Sequence, residues 1–113
     1  MSVNAIPLLT SAFKRIEDLT DEQLKIPGED VNSILGNTME ELGELAAAIR
    51  IEDGVTKKHK SLDEPSTVEA IDLVICALSV YFARGGELND IPAIIHHKLD
   101  KWCANIYRNT SGE

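Results

Sequence analysis

The chain has 113 residues, of which 43% are hydrophobic and 27% are charged, the composition of a single soluble domain. Aromatic residues make up only 4%, so the core must be built from Leu, Ile, Val and Ala, which suits packed helices better than a β-sandwich. The net charge of −8 argues against a protein that wraps around DNA or RNA phosphates, and a small anionic ligand would need a metal ion to screen it.

Neither the cysteines nor the start of the chain indicates an exported or membrane protein. Cys76 and Cys103 have no metal-site or disulfide-framework spacing and are interpreted as free thiols in a reducing compartment. No basic segment followed by an apolar run occurs at the N-terminus, and the longest apolar run is too short and too charged to span a membrane. We therefore expect a cytoplasmic protein without a membrane segment.

The first half of the chain predicts short helical segments followed by one long helix. Pro7 lies in the first turn of a short helix, Thr20 resembles the cap of a further segment, and the Pro-Gly pair at 27–28 ends that segment. A long helix then runs from about residue 29 or 30 to about residue 52, with Gly54 as its C-cap. A polar connection to about residue 63 follows. The predicted apolar stripe of the long helix consists of Val31, Ile34, Leu35, Leu42, Leu45 and Ile49.

The second half predicts a central helix and a last helix. The central helix covers Val68 to Phe82 and is preceded by a capping-box pattern, in which Ser66 is followed three residues later by Glu69. The Gly-Gly pair at 85–86 ends it, and the last helix starts near Pro92. The apolar positions of the last helix are Ile91, Ile94, Ile95, Leu99, Trp102, Cys103 and Ile106.

The sequence shows no repeat and no convincing strand, so we predict an all-α, four-helix-bundle-like fold with residues 1–113 in a single domain. The central helix is apolar nearly all round, with Glu69 and Asp72 as its only charges. Because a small monomer has little interior in which to bury such a helix, a homodimer or a dimer of dimers is predicted.

Four carboxylates are spaced so that they would meet between the long helix and the central helix. At about 100° per residue, Glu69 and Asp72 lie about 60° apart on one helix face, and Glu41 and Glu44 do the same. An E-E-x-x-E run alone is usually a solvated helix face, and Glu69 could serve only as a capping residue. Asp72 lies one turn further in, among apolar positions, and needs a cation or a shared proton. Together the four form the all-oxygen ligand set that Mg²⁺ or Mn²⁺ selects.

These two motifs carry a family resemblance. E-E-L-G-E-L-A-A-A-I at residues 40–49 and E-A-I-D-L-V at residues 69–74 resemble the E-E-x-x-E and E-x-x-D motifs of the MazG-like nucleoside triphosphate pyrophosphohydrolases. That all-α superfamily includes the dimeric all-α dUTPases and phosphoribosyl-ATP pyrophosphohydrolase. The resemblance covers residues 37–83 and does not indicate which base is cleaved.

The resemblance implies a Mg²⁺ site, which could also accept Mn²⁺, with Glu41, Glu44, Glu69 and Asp72 as its ligands. Glu40 is the first acid of the motif and would be an outer group or a residue that positions water. Its place opposite the apolar stripe argues against a direct role. The four predicted ligands and Glu40 are together the candidate catalytic residues.

Candidate substrate contacts lie on the last helix and ahead of the first motif. Lys101-x-x-x-Asn105-x-x-Arg108 is similar to a K-x-x-x-N-x-x-R pattern of the family, which implies contacts with the phosphates or the sugar. Trp102 could stack on a base, although its helical spacing is more typical of a core residue. Asn37, one turn before the E-E-x-x-E motif, is a candidate contact for the base or sugar.

The reaction that the resemblance implies is hydrolysis of an NTP or dNTP to the monophosphate and pyrophosphate, which removes non-standard or surplus nucleotides. One alternative is a dUTPase-like or phosphoribosyl-ATP pyrophosphohydrolase. Another is a non-catalytic helical dimer that binds a nucleotide or a protein partner. A P-loop enzyme is excluded because the chain has no G-x-x-x-x-G-K-S/T motif. The expected partner is a nucleoside triphosphate, without a nucleic acid or a membrane.

Overall fold

Four α-helices make up nearly all of the described chain. The structure is a computed structural model that describes residues 5–54 and 64–110. The helices are α1 (Ala5–Leu24), α2 (Val31–Glu52), α3 (Ser66–Ala83) and α4 (Ile91–Thr110), and a 3-10 turn, Leu88–Asp90, precedes α4. No strand occurs within these ranges, so the prediction of an all-α chain with four main helices is confirmed.

α1 is one continuous helix, and the prediction that a new segment begins at Thr20 is wrong. The Thr20 side chain is buried, and its Oγ1 donates a hydrogen bond of 2.7 Å to the carbonyl oxygen of Ile16, one turn earlier. The same Oγ1 lies 2.7 Å from Oγ of Ser79 on α3, and because its single proton is already donated, the Ser79 hydroxyl is the donor. Thr20 therefore packs in mid-helix against α3 and does not cap a helix.

α2 begins within one residue of the predicted start, and Asp30 is its N-cap. Asp30 Oδ1 accepts hydrogen bonds from the backbone N–H groups of Asn32 at 2.9 Å and Ser33 at 3.1 Å. Ser33 Oγ accepts in return from the backbone N–H of Asp30 at 3.3 Å, which completes a capping box. At the other end Gly54 has φ 73°, the left-handed conformation that commonly follows a helix.

α3 begins without the capping box that the sequence predicts. Pro65 is the N-cap residue, and no side chain caps this helix. Ser66 instead binds the carboxylate of Glu52 at the end of α2, with its backbone N–H donating at 2.8 Å and its hydroxyl donating to the other oxygen. These hydrogen bonds fasten the start of α3 to the end of α2, and Glu69 takes no part in capping. The connection predicted up to residue 63 lies, beyond Gly54, outside the described residues.

α3 packs against both α1 and α2, and the small core lies between these three helices and the start of α4. Its buried apolar residues are Ile34, Ala48, Phe82 and Ile91. The predicted apolar stripe of α2 is divided between two faces. Ile34 is 2% exposed, whereas Leu35, Leu42 and Ile49 are between 43% and 55% exposed. The face of α2 that packs against α3 is therefore centred on Ile34 and Ala48.

α4 does not complete a four-helix bundle within one protomer. It packs mainly on the 3-10 turn that precedes it, and every residue from 92 to 109 is exposed. The radius of gyration of 17.3 Å exceeds the roughly 13 Å expected of a compact chain of this length. α1, α2 and α3 thus form a packed unit from which α4 projects.

Of the described helices, α3 alone is long and apolar enough to cross a membrane by length and composition, with a mean hydropathy of 1.6 over 18 residues. By this criterion, the expectation that the longest apolar run is too short does not hold. The core helix of a soluble protein passes the same test, although only 11% of this window is buried within the protomer. Val68, Ile71, Val74 and Ile75 of this helix are between 37% and 57% exposed, so part of its apolar surface is not covered by its own core.

Candidate metal centre

Glu41 lies on the face of α2 that packs against α3. Ile34 and Ala48, which flank it seven residues away on either side, are 2% and 3% exposed. Seven residues are nearly two full helical turns, so all three side chains project in almost the same direction. The carboxylate of Glu41 is therefore held inside the α2–α3 interface.

α3 brings two further carboxylates to the same place. Glu69 is 8% exposed and Asp72, one turn later, is half-buried. Glu41, Glu69 and Asp72 can each offer one carboxylate oxygen such that the three oxygens lie within 4.8 Å of one another. These three residues are called the acidic cluster below. The structure thus brings Glu41 of the first motif next to both acids of the second motif, as the sequence predicts for these three residues.

Two oxygen atoms of the acidic cluster are buried without a hydrogen-bond partner among the described residues. They are Oε2 of Glu41 and Oε2 of Glu69. A buried acceptor without a partner is costly, and a buried charged acceptor more so, unless a proton or a cation satisfies it. The geometry and chemistry of the cluster therefore fit a hard divalent cation, which binds carboxylate oxygens.

The electrostatics of the cluster also favour a cation. Burial raises the pKa of Glu41, and the nearby carboxylates of Glu44 and Asp72 raise it further. Burial likewise raises the pKa of Glu69, with additional repulsion from Glu44 and Glu64. No basic side chain of the described residues contributes to either shift. Proton uptake or cation binding would relieve this repulsion.

The other two acids of the first motif lie at the solvent edge. Glu44 is exposed, but its charge helps to raise the pKa values of both Glu41 and Glu69. The sequence predicts Glu44 as a fourth ligand, but among the described residues the structure groups only Glu41, Glu69 and Asp72 within 4.8 Å. Glu40 is exposed and exerts the weakest influence on Glu41, which agrees with its predicted place away from the apolar stripe.

A cavity of about 170 Å³ adjoins the acidic cluster between α1, α2 and α3. Asn37, one turn before Glu41, and Cys76, one turn after Asp72, both line it. Burial raises the pKa of the Cys76 thiol, and the charges of Glu41 and Asp72 add to this shift, so the cavity and the cluster are neighbours. Its other polar lining residues are Thr20, Gln23 and Ser79.

Sequence reasoning identified Asn37 but missed the polar residues that α1 and the later part of α3 contribute to this cavity. Thr20 and Gln23 belong to a helix without a recognisable motif, and Ser79 lies in an otherwise apolar run. The polarity of Ser79 inside an apolar run was the available signal, but only the packing of α1 on α3 shows that the three residues share one cavity.

The predicted substrate contacts on α4 are not brought to the acidic cluster within one protomer. Lys101, Trp102, Asn105 and Arg108 are all exposed, and α4 forms no packed interface with α2 or α3. None of the four contributes to the pKa shifts of Glu41 or Glu69. Their roles stay predictions.

Comparison of the chain with models of known protein families, with curated proteins and with solved structures finds no match. Function is therefore inferred from the residues of the site and from the motif resemblance.

Proposed function

We propose that this protein is a Mg²⁺-dependent hydrolase that cleaves an NTP or dNTP to the monophosphate and pyrophosphate. The observation that carries the proposal is the pair of buried carboxylate oxygens, from Glu41 and Glu69, that lack partners beside Asp72. The resemblance of the two acidic motifs supports the reaction type. The same proposal includes a MazG-type fold, a cytoplasmic location and an oligomer that is a homodimer or a dimer of dimers.

In this proposal, Glu41, Glu69 and Asp72 hold the ion, and Glu44 completes the carboxylate set from the solvent edge. Mg²⁺ (or Mn²⁺) bound there supplies charge neutralisation for the triphosphate and activation of water. Glu40, exposed beside the cluster, positions the attacking water molecule. A carboxylate at the solvent edge accepts the proton that this water loses.

The bond changes define the products. The water oxygen forms a bond to the α-phosphorus, and the bond from that phosphorus to the oxygen shared with the β-phosphate breaks. Pyrophosphate leaves, and the remaining product is the monophosphate. The nucleoside part occupies the cavity beside the cluster, where Asn37 contacts the base or sugar. Contacts from Lys101, Asn105, Arg108 and Trp102 require α4 to approach the site from another protomer.

The proposal is tested by incubating the protein with a panel of NTPs and dNTPs, including dUTP, and with phosphoribosyl-ATP in the presence of Mg²⁺. Phosphorus NMR then identifies the products. We expect monophosphate and pyrophosphate. Loss of a residue that only supports a metal ligand costs about 10- to 100-fold, so loss of a ligand in Asp72→Ala should cost about 100-fold or more. Glu22→Gln, an exposed glutamate on α1, is the matched charge control and should keep wild-type turnover.

Each other outcome selects a different function. A marked preference for dUTP or phosphoribosyl-ATP would select the corresponding alternative within the superfamily. Diphosphate and phosphate as products would contradict cleavage at the α-phosphorus. If the folded protein binds Mg²⁺ but hydrolyses no member of the panel, the protein is a non-catalytic binding protein. Full activity of Asp72→Ala would show that the acidic cluster is not the catalytic site.

A further inference from the structure

The cavity beside the acidic cluster has the size of a single aromatic ring. Its volume is about 170 Å³. For comparison, an engineered apolar cavity of about 150 Å³ holds a benzene-sized ring. All three packed helices contribute apolar walls, with Ile16 and Leu19 on α1, Ile34 on α2 and Ile75 on α3. Such side chains suit the flat faces of a base. A pyrimidine therefore fits this space, whereas a two-ring purine would project from it.

The cavity runs along α3 away from the acidic cluster. Cys76 and Ser79 line it, four and seven residues after Asp72. Ser79 therefore lies about 10 Å further along the helix axis than Asp72, and on the same side of the helix. In a pyrimidine nucleotide the substituent on ring atom C4 lies across the ring from the sugar. With the phosphates at the acidic cluster, this substituent points to the Ser79 end of the cavity.

The hydroxyl groups at that end form a hydrogen-bond chain whose direction is fixed. Thr20 Oγ1 donates its only proton to the carbonyl oxygen of Ile16 at 2.7 Å, and a carbonyl cannot donate in return. Ser79 Oγ lies 2.7 Å from Thr20 Oγ1 and therefore donates its own proton to Thr20. Because Thr20 is 2% exposed and Ser79 is half-buried, Ser79 Oγ is the atom that a ligand can reach. Towards the cavity it offers lone pairs and no proton.

The two side-chain amides of the cavity do not select between bases. Gln23 and Asn37 each carry N–H donors and a carbonyl acceptor, so either can turn to match a donor or an acceptor on the ligand. Ser79 cannot adapt in the same way. Turning its proton towards a ligand would leave the buried oxygen of Thr20 without that donor, which costs free energy. The selective contact of the cavity is therefore the one with Ser79.

We propose that the Thr20–Ser79 hydroxyl pair selects a cytosine nucleotide through the amino group on C4. This inference rests on the proposed function, which places the triphosphate at the acidic cluster and the base in the cavity. The amino group of cytosine donates a hydrogen bond to Ser79 Oγ. Uracil and thymine carry a carbonyl oxygen at the same position, so two acceptors would face each other without a proton between them. Adenine carries a suitable amino group but is too large for the cavity.

Three nucleotides test the hydrogen bond and the size separately. CTP and UTP have the same ring size and differ at C4, and ATP carries the amino group on a two-ring base. With Mg²⁺ we expect kcat/KM for CTP to exceed that for UTP about 10-fold or more, because one mismatched buried hydrogen bond has about this cost. ATP should also be a poorer substrate than CTP. Isothermal titration calorimetry with CMP and UMP should show the same preference for cytosine without hydrolysis.

Ser79→Ala removes the acceptor and leaves the hydrogen bond from Thr20 to Ile16 in place, so the preference for CTP over UTP should largely disappear. A role of Ser79 in helix packing alone would change stability but not this preference. Gln23→Ala should weaken the binding of CMP and UMP by the same factor, because the amide serves both bases. Thr10→Ala is the matched control and should keep the wild-type preference. The Thr10 hydroxyl also donates to a carbonyl one turn earlier, but it is exposed and outside the cavity.

The outcomes separate this inference from the proposed function. Equal hydrolysis of CTP and UTP would overturn the base assignment and leave the hydrolase intact. Preferred binding of CMP without hydrolysis of any triphosphate would support the selectivity of the cavity and contradict the hydrolase. A preference for UTP or ATP would overturn the inference, as would a CTP preference that survives in a folded Ser79→Ala protein. Absence of both turnover and binding of CMP or UMP would overturn both proposals.

Discussion

Glu69→Gln tests the metal centre with little change in side-chain shape. A ligand present at one hundred times its dissociation constant stabilises the folded protein by about 2.7 kcal/mol. For a domain of this size about 1 kcal/mol corresponds to a shift in Tm of roughly 4 °C, so Mg²⁺ at that concentration should raise the wild-type Tm by about 10 °C.

The variant should lose nearly all of this effect. Glu69 provides one of three carboxylate oxygens that lie within 4.8 Å of one another. If its loss weakens Mg²⁺ binding about 100-fold, the same concentration stabilises the variant by only about 0.4 kcal/mol, less than about 2 °C in Tm. Without the metal, Glu69→Gln should have a higher Tm than wild type, because burial and neighbouring acids raise the pKa of Glu69 and so disfavour its charged form.

The assay is thermal unfolding followed by circular dichroism, first in EDTA and then in a Mg²⁺ titration that gives the wild-type dissociation constant. Glu22→Gln, an exposed glutamate on α1, should retain the full Mg²⁺-induced increase in Tm. A Glu69→Gln protein that keeps an increase near 10 °C would refute the assignment of Glu69 as a ligand. A lower Tm than wild type in EDTA would refute the argument from repulsion.

Three further predictions concern the same fold and site. The Mg²⁺-induced increase in Tm should be larger at about pH 8 than at about pH 5. The pKa values of Glu41 and Glu69 are raised, so protons compete with the ion for these carboxylates at the lower pH. In EDTA those two groups act in the opposite direction: they favour the folded state below their ordinary pKa of 4.5, and that contribution is lost as the pH rises through their raised pKa values. An equal Mg²⁺ effect at both pH values would contradict this. Thr20→Val should lower the free energy of unfolding by about 1–3 kcal/mol in urea titrations, because the Ser79 hydroxyl loses its acceptor; in the double variant with Ser79→Ala the loss should be less than additive. Gly86→Ala should cost about 1–3 kcal/mol by the same measurement, since a Cβ there overlaps the Tyr81 ring, and an unchanged midpoint would show that the ring moves aside freely.

The beginning and end of each helix were largely predictable because they depend on residues adjacent in the chain. Asp30 caps α2, Gly54 follows its end, and Gly85 ends α3, each through local backbone chemistry. The exceptions have distant causes. Thr20 looked like a cap, but its hydroxyl pairs with Ser79, 59 residues later. Ser66 looked like the start of a capping box, but it binds Glu52 at the end of another helix.

The buried face of α2 shows what periodicity cannot decide. Leu35, Leu42 and Ile49 repeat at the same interval as Ile34, Glu41 and Ala48, and the sequence favours burial of the apolar set. The structure instead buries the set that contains Glu41, because that side packs on α3. A hydrophobic repeat identifies a face that needs a partner, but it does not state whether the partner belongs to the same chain.

The sequence by itself determined the all-α class, the four helices and the two pairs of acids one turn apart, since each of these follows from the α-helical period and local capping. The tertiary structure decided which acids meet, which polar residues line the cavity beside them, and that α4 lies away from the other helices. These depend on how helices distant in sequence pack together. The free energy of helix packing depends on how well two helix surfaces fit each other. The sequence of one helix describes only one of those surfaces.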